Sequence, residues 1–526
     1  MEAITNLPMK APPIDLERLG EKKLTQLAEG VLELLNLSGV DMNRDTHYNT
    51  KDEMEEVRKD LHRRVFELDR SIYGCLFCLP GVTDFARQKA VHAMLGNPWG
   101  NGEDGALTMD HEMAIINFLV EALQANKKLN LFVDLKGNRV NNSRTRRTIL
   151  SHVLNARNLE LWSVKYRSKI KGIFEHAWSV RVCGILRSIL KKKRKSQKDK
   201  DILTAHIDPF LSPQAYKRKK DIYKYVSFAL GNLDEDFPLS LVYNKAKVKL
   251  EDGNKLPLEI LEGIRSTYHP TIPRAKVLEI AKSNLTTKQK RLVQKTAKKA
   301  GVKIDFDPMK YGMVDLYIYA FEMGWSNTIK DALRAKAKRA AAALPFHFDH
   351  IAILVDDSFS MSGSEDQKLR PMAVTLATRD MLIYAGDRNS ISTVSGSHKG
   401  LARPKGGTDL ATGLIELLKR DPDSIFVISD GYENQPSGRF SEVLMMAREI
   451  GVTTPIYHIN PVGAAESKGA LRRLDKEVPV LPINNPQTIG LTMFKAMLET
   501  DPKNGLLGLV GIALPMIEKP KEVTAK

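Results

Sequence analysis

The chain is poor in cysteine: Cys75, Cys78 and Cys183 are the only three in 526 residues. Three thiols are too few for a disulfide framework, and they suit a reducing cytoplasm. Cys75 and Cys78 form a C-x-x-C, but Leu76 and Phe77 fill it and no further ligand stands nearby. A zinc knuckle or redox turn needs a polar or Gly/Pro tight turn and more ligands, so buried helical thiols are expected. No run of 18 or more apolar residues occurs, so no transmembrane helix is expected. The N-terminal stretch MEAITNLPMKAPPIDLERLGEKK lacks the apolar core of a secretory signal. Catalytic signatures are missing too: there is no G-x-x-x-x-G-K-[ST], no H-E-x-x-H and no G-x-S-x-G. His111, His152, His176, His206, His269, His347, His350 and His458 are scattered among apolar or basic neighbours. Nothing pairs a nucleophile with a base, and no enzyme is expected.

What is present is charge, unevenly spread. The net charge is +17, from 80 Lys/Arg and 63 Asp/Glu. From Phe346 onward there are 20 basic and 22 acidic side chains, leaving 60 and 41 in residues 1–345. The first part is therefore net +19 and the second net −2. A half with that surplus is suited to a polyanion.

Residues 1–345 read as helix upon helix. MDHEMAIINFLVEALQANKKL places Met113, Ile116, Val120 and Leu123 on one face. The stretch from Ser143 to Leu190 repeats that pattern with basic residues between apolar ones. Further helices are expected over KVLEIAKSN, TKQKRLVQKTAKKAGV, MVDLYIYAFEMGW and NTIKDALRAKAKRAAAAL. Short helices in series, broken at Gly and Pro clusters, suggest a degenerate HEAT-like array. Lys191 to Asp201, KKKRKSQKDKD, reads as a solvated, mobile loop.

After Pro345 the pattern changes. IAILV, SISTV, SIFVISD, TPIYHIN and VPVLPI alternate with helices over about 369–385, 411–419 and SEVLMMAREIG, and a last helix is expected over PQTIGLTMFKAMLE. Apolar strands alternating with helices imply a parallel sheet covered on both faces. Such sheets bind ligands at the carboxyl ends of their strands. Three loops there carry oxygen ligands: Asp356-x-Ser358-x-Ser360, Gly406-Gly407-Thr408-Asp409, and Asp430 after SIFVIS. Alternate residues of an extended loop point the same way, so Asp356, Ser358 and Ser360 can converge. Two carboxylates and three hydroxyls suit octahedral Mg²⁺ with a position left for an incoming carboxylate or phosphate.

These residues resemble the metal-ion-dependent adhesion site (MIDAS) of von Willebrand factor A domains, over roughly the last third of the chain. The resemblance implies that Asp356, Ser358, Ser360, Thr408 and Asp430 hold the metal directly or through water. Phe359 departs from the pattern, because the family usually has a small residue there. A ring at that position is expected to shield the ion or to line a docking surface.

A helical domain over 1–345 followed by an A domain over 346–526 resembles the Ro autoantigen and its bacterial relatives, the TROVE-plus-vWA family. The likeness is strongest from Ile304 to Met361, where the run from Pro308 to Gly324 leads through ALRAKAKR into IAILVDDSFSM. His176 to Arg181 is similar to the family's Trp/Arg-containing central helix. The resemblance implies a cytoplasmic ribonucleoprotein: a ring of HEAT-like helices binding small structured or misfolded RNA, with the A domain docking a partner.

RNA binding also has a direct argument, since phosphates need basic side chains and unpaired bases stack on aromatics. Arg144, Arg146, Arg147, Lys165, Arg167, Lys169, Lys171, Arg181 and Arg187 interleave with Trp162, Tyr166 and Trp178, and Trp178 is the candidate stacking residue. Lys217 to Lys220 precede Tyr223 and Tyr225. The bland alternative is a set of solvated helix faces with core aromatics. A second function class is an adaptor for a MoxR-type AAA+ ATPase, since GGTDL (Gly406 to Leu410) resembles a motif found in A domains of that kind. There the metal would capture a carboxylate of a protein partner.

Overall fold

A computed structural model describes residues 14–38, 51–79, 81–98, 107–342, 344, 347–363, 365, 368–395, 401–462, 472–486, 495, 498 and 501–518. Most of them are helical, and the C-terminal part holds a five-stranded, all-parallel sheet. The chain packs as two compact units: 95–98 with 120–307 form one, and 1–94, 99–119 and 308–526 form the other. The change of pattern near Pro345 marks the start of the sheet, while packing divides the chain elsewhere.

In the helical unit, helices near in sequence pack in series. Arg167–Trp178 contacts both Ser143–Leu154 and Val180–Lys191. Leu258–Tyr268 contacts both Pro238–Val248 and Arg274–Ala281. One core joins Val164, Phe228, Phe237, Ala246, Leu250, Leu261 and Val277. Burying a side chain such as Phe228 stabilises by about 1.5–3 kcal/mol, which anchors short helices that would be marginal alone. Ser179 turns the chain between two of these helices at φ +84°, and its hydroxyl accepts from Val182 N.

Two expectations change here. The stretch MDHEMAIINFLVEALQANKKL is two helices, Met109–Ala122 and Ala125–Gly137, because Gln124 takes an extended conformation between them. The stretch Lys191 to Asp201 is not a loop throughout. Helix Gln197–His206 begins inside it, with Ser196 and Asp199 forming a reciprocal capping box. Lys192 Nζ also bonds Asp199 at 2.8 Å, and that pairing draws the Asp199 carboxyl down to about 2. The turn is thus tied locally despite its run of like charges.

In the other unit, β1 (Phe348–Val355), β2 (Gly386–Thr393), β3 (Ser424–Ile428), β4 (Ile456–Asn460) and β5 (Val480–Pro482) lie in the order β2-β1-β3-β4-β5. Ile351 to Val355 are fully buried, since β1 is flanked on both edges and covered on both faces. Helices Arg370–Ile383, Leu410–Leu418 and Arg439–Glu449 cover the sheet's connections. The helix expected over PQTIGLTMFKAMLE falls outside the described residues except at Pro486, Lys495 and Leu498.

The run from Pro308 to Gly324 yields helix Met313–Met323, which packs on Arg370–Ile383. Tyr317 donates to Asp380, and Arg379 bonds both partners, so this polar joint is closed within itself. Helix Arg70–Cys78 packs against Pro502–Glu518, bringing sequence-distant ends into one unit. Cys75 and Cys78 are buried in that helix, and burial pushes the Cys78 thiol up to about 12. They are core thiols. Among the described residues no helix is long and apolar enough to cross a membrane.

Candidate functional site

The strand order places the first site. β1 leads to β2 on one side, and the chain then crosses to β3 on the other, so the switch point lies between β1 and β3. In open parallel sheets such a point, at the carboxyl ends of the strands, is where ligands bind. Asp356 follows β1 immediately, and Asp430 comes two residues after β3.

Asp356 is fully buried. Its Oδ1 accepts from Ser358 N at 2.9 Å, and its Oδ2 accepts from Ser429 Oγ at 2.6 Å. Ser358 and Ser360 hydroxyls are 3.1 Å apart, and Ser360 also bonds Asp430. The backbone does not stay extended: a 3-10 turn over Phe359–Ser362 brings Ser360 round to its place. Thr408 is buried, and its loop is pinned by Phe359 N donating to Gly406 O at 3.1 Å and by Asn434 Oδ1 accepting from Thr408 N at 2.9 Å. Gly406 takes φ +74°, the left-handed region where glycine costs nothing. Thus Asp356, Ser358, Ser360 and Asp430 form one connected group, with Thr408 on the loop against it.

Burial, and then the neighbouring Asp430, pushes the Asp356 carboxyl up to about 6. Asp430 is also raised by burial, although the Ser360 hydroxyl and then Arg472 pull it back. Two like charges held together out of water are costly unless a cation or proton joins them. Among the described residues no three His, Cys, Asp or Glu side chains cluster for a metal. The donor set here is instead two carboxylates with hydroxyls, which suits a hard ion that keeps part of its water shell.

Two neighbouring carboxylates do other work. Asp357 turns away and accepts from Ser395 N at 2.8 Å, tying the end of β2. Asp409 caps helix Leu410–Leu418 by accepting from Thr412 N. Phe359 is 71% exposed, so its ring stands in solvent beside the group and does not cover it. Ser429 is the member that composition and spacing did not single out. It directly precedes Asp430, but only the pairing of β1 with β3 shows that it reaches Asp356.

The basic residues lie on the helical unit. Arg146, Arg147 and Arg181 are exposed, and their side chains bond no described residue. Arg144 donates to Asn97 O at 2.7 Å, and Arg187 lies against Asn232 and Gly231. Lys171 reaches Glu175 at 3.8 Å. Trp178 is only 8% exposed; it stacks on Phe174 at 4.7 Å and its indole N–H donates to His206 O. That ring is committed to the core, which corrects its place as a stacking platform.

Lys165, Arg167 and Lys169 meet at the junction of helices Leu159–Lys165 and Arg167–Trp178. They line a pocket of about 280 Å³ together with Val164, Tyr166, Ser168, Phe228, Tyr243 and Ile260. Lys247 Nζ stands 4.4 Å from the Tyr243 ring centroid. Tyr243 and Lys247 come from a helix more than seventy residues away in sequence, so no local spacing could have announced them.

No protein-family model matches the chain, and no curated protein matches it.

Proposed function

We propose that this chain is a non-catalytic, cytoplasmic RNA-binding protein of the Ro kind. The HEAT-like helical unit holds small structured or misfolded RNA by its phosphates. The sheet belongs to a von Willebrand factor A domain whose Asp356, Ser358, Ser360, Thr408 and Asp430 would hold Mg²⁺. That ion supplies an open position for a partner's carboxylate.

The observation that carries this reading is how charge follows packing. The helical unit (95–98 and 120–307) contains 41 Lys/Arg and 18 Asp/Glu, net +23. The remaining 39 and 45 leave the sheet-bearing unit at net −6. Separation by compact unit is larger than separation by sequence half, as a dedicated polyanion surface requires.

Crosslinking in cells followed by sequencing of bound RNA tests it. Structured non-coding RNA enriched over an uncrosslinked control is expected. If no RNA is enriched, and the protein instead holds an AAA+ ATPase through high salt, the adaptor reading replaces it. The exposed Phe359 beside the carboxylate group favours that second reading, since an apolar ring at a rim suits a protein partner.

A further inference from the structure

The pocket at the helix junction has a construction that a merely solvated basic face lacks. Its floor is apolar, formed by Val164, Phe228 and Ile260, and its rim is cationic. Lys165 and Lys169 stand 5.4 and 6.0 Å from the Tyr166 ring centroid, and Lys247 stands over Tyr243, so aromatic faces hold the ammonium groups at the rim. Counter-charge is scarce. Lys165 meets Glu259 at 3.1 Å, but Lys169 and Lys247 bond only the neutral Asn130 and Asn244. The Arg167 side chain bonds no described residue. The other nearby carboxylate, Glu160, is engaged by Leu239 N. Four cations against two carboxylates leave a surplus of two.

We propose that this pocket receives the terminal, phosphate-bearing nucleotide of an RNA. The phosphate rests among Arg167, Lys165, Lys169 and Lys247, and the base lies on the Val164, Phe228 and Ile260 floor. The inference rests on the RNA-binding reading and names where a chain end goes. A terminal phosphate carries up to two charges where an internal phosphodiester carries one, so it matches the rim's surplus better. A volume of about 280 Å³ lies at the small end of ligand pockets, enough for one nucleotide and too small for a duplex end. Burial, and then the nearby Arg167 guanidinium, lower the Lys247 ammonium below its usual value, so the two cations stand close enough to repel.

The test uses the full chain and one short oligouridylate in three forms: 5′-phosphorylated, 3′-phosphorylated and hydroxyl at both ends. A circular RNA without ends serves as a fourth probe. Fluorescence competition should show one phosphorylated form binding about tenfold more tightly than the hydroxyl form, as for a charge-assisted contact. Whichever end wins names the source of the phosphate. In Arg167→Gln and in Lys247→Gln the ratio of the two affinities should fall toward one. Reading a ratio within each variant removes any general loss of fold or charge. Equal affinity for phosphorylated and hydroxyl ends in the unaltered protein, with circular RNA still bound, overturns the pocket and spares RNA binding. Failure to bind any of the four overturns both.

Discussion

The sheet edge and the basic helices place charge in opposite ways. At the sheet edge a few carboxylates are buried, close together and held by named hydrogen bonds to Ser358, Ser429 and Ser360. On the helical unit many cations are exposed, spread over several helices, and often free, as at Arg146, Arg147 and Arg181. A buried group is governed by its immediate partners, so a single change there has a large effect. An exposed group acts through the summed field, so single changes are small and add. The helical unit joins both regimes only where cations gather over an apolar floor, at Arg167.

The hardest test of this contrast is Trp178→Ala. The ring lies in the helical unit among the basic residues, yet it is core. Removing it should cost about 3–5 kcal/mol of stability by denaturant unfolding. A loss below about 1 kcal/mol would show that the basic helices lack the packing described.

Next comes Asp356. Its carboxyl is held near 6 in the fold and would titrate near its ordinary value when unfolded. A raised carboxylate binds its proton more tightly in the folded state. Stability of the cation-free protein should therefore rise as pH falls from about 6 toward 4, by up to about 3 kcal/mol. Asp356→Asn should flatten that slope and abolish Mg²⁺ binding measured by titration calorimetry. In the unaltered protein Mg²⁺ affinity should weaken about tenfold per pH unit below 6, because a proton competes for the same oxygen. A pH-independent affinity would separate the carboxylates from the ion.

A smaller effect is expected from Arg146→Gln combined with Arg147→Gln. Thermal melting should not change, and affinity for unrelated RNAs should fall together. The slope of log affinity against log salt should drop by about 2, one for each lost phosphate contact. An unchanged slope would remove this helix from the interface.

The smallest effect belongs to Phe359→Ser. With its ring in solvent, the change should shift stability by less than about 0.5 kcal/mol and leave the calorimetric Mg²⁺ titration as it was. A larger destabilisation would mean that the ring packs and is not a docking feature.

Much of the sheet's layout was legible because its signals are local. IAILV and IFVI are unbroken apolar runs, as a strand covered on both faces has, and both lie in strands. The helical unit was legible as helices but less so at their ends. Gln124 and Ser196 decide two of those ends through backbone conformation and capping, each of which is a choice among several plausible residues. Side-chain destinations were least legible. Asp356 and Asp357 are adjacent and identical, yet one meets Ser429 across the strands and the other holds Ser395. Trp178 looked like its basic neighbours' companion, and packing against Phe174 took it inside.

By itself the sequence determined which segments become strands and helices, that carboxylates and hydroxyls stand at strand ends, and that positive charge is concentrated in the helical part. Each of these follows from periodicity or composition over a few consecutive residues. Tertiary structure alone decided that Ser429 reaches Asp356, that the run from Pro308 to Gly324 docks through Tyr317 on Asp380, and that Tyr243, with Lys247 over its ring, joins a pocket beside Arg167. These are meetings of residues about seventy positions apart, set by strand order and by how short helices bury their apolar faces. Such burial depends on shape and area and carries no local direction, so the pairs it creates leave no spacing to read.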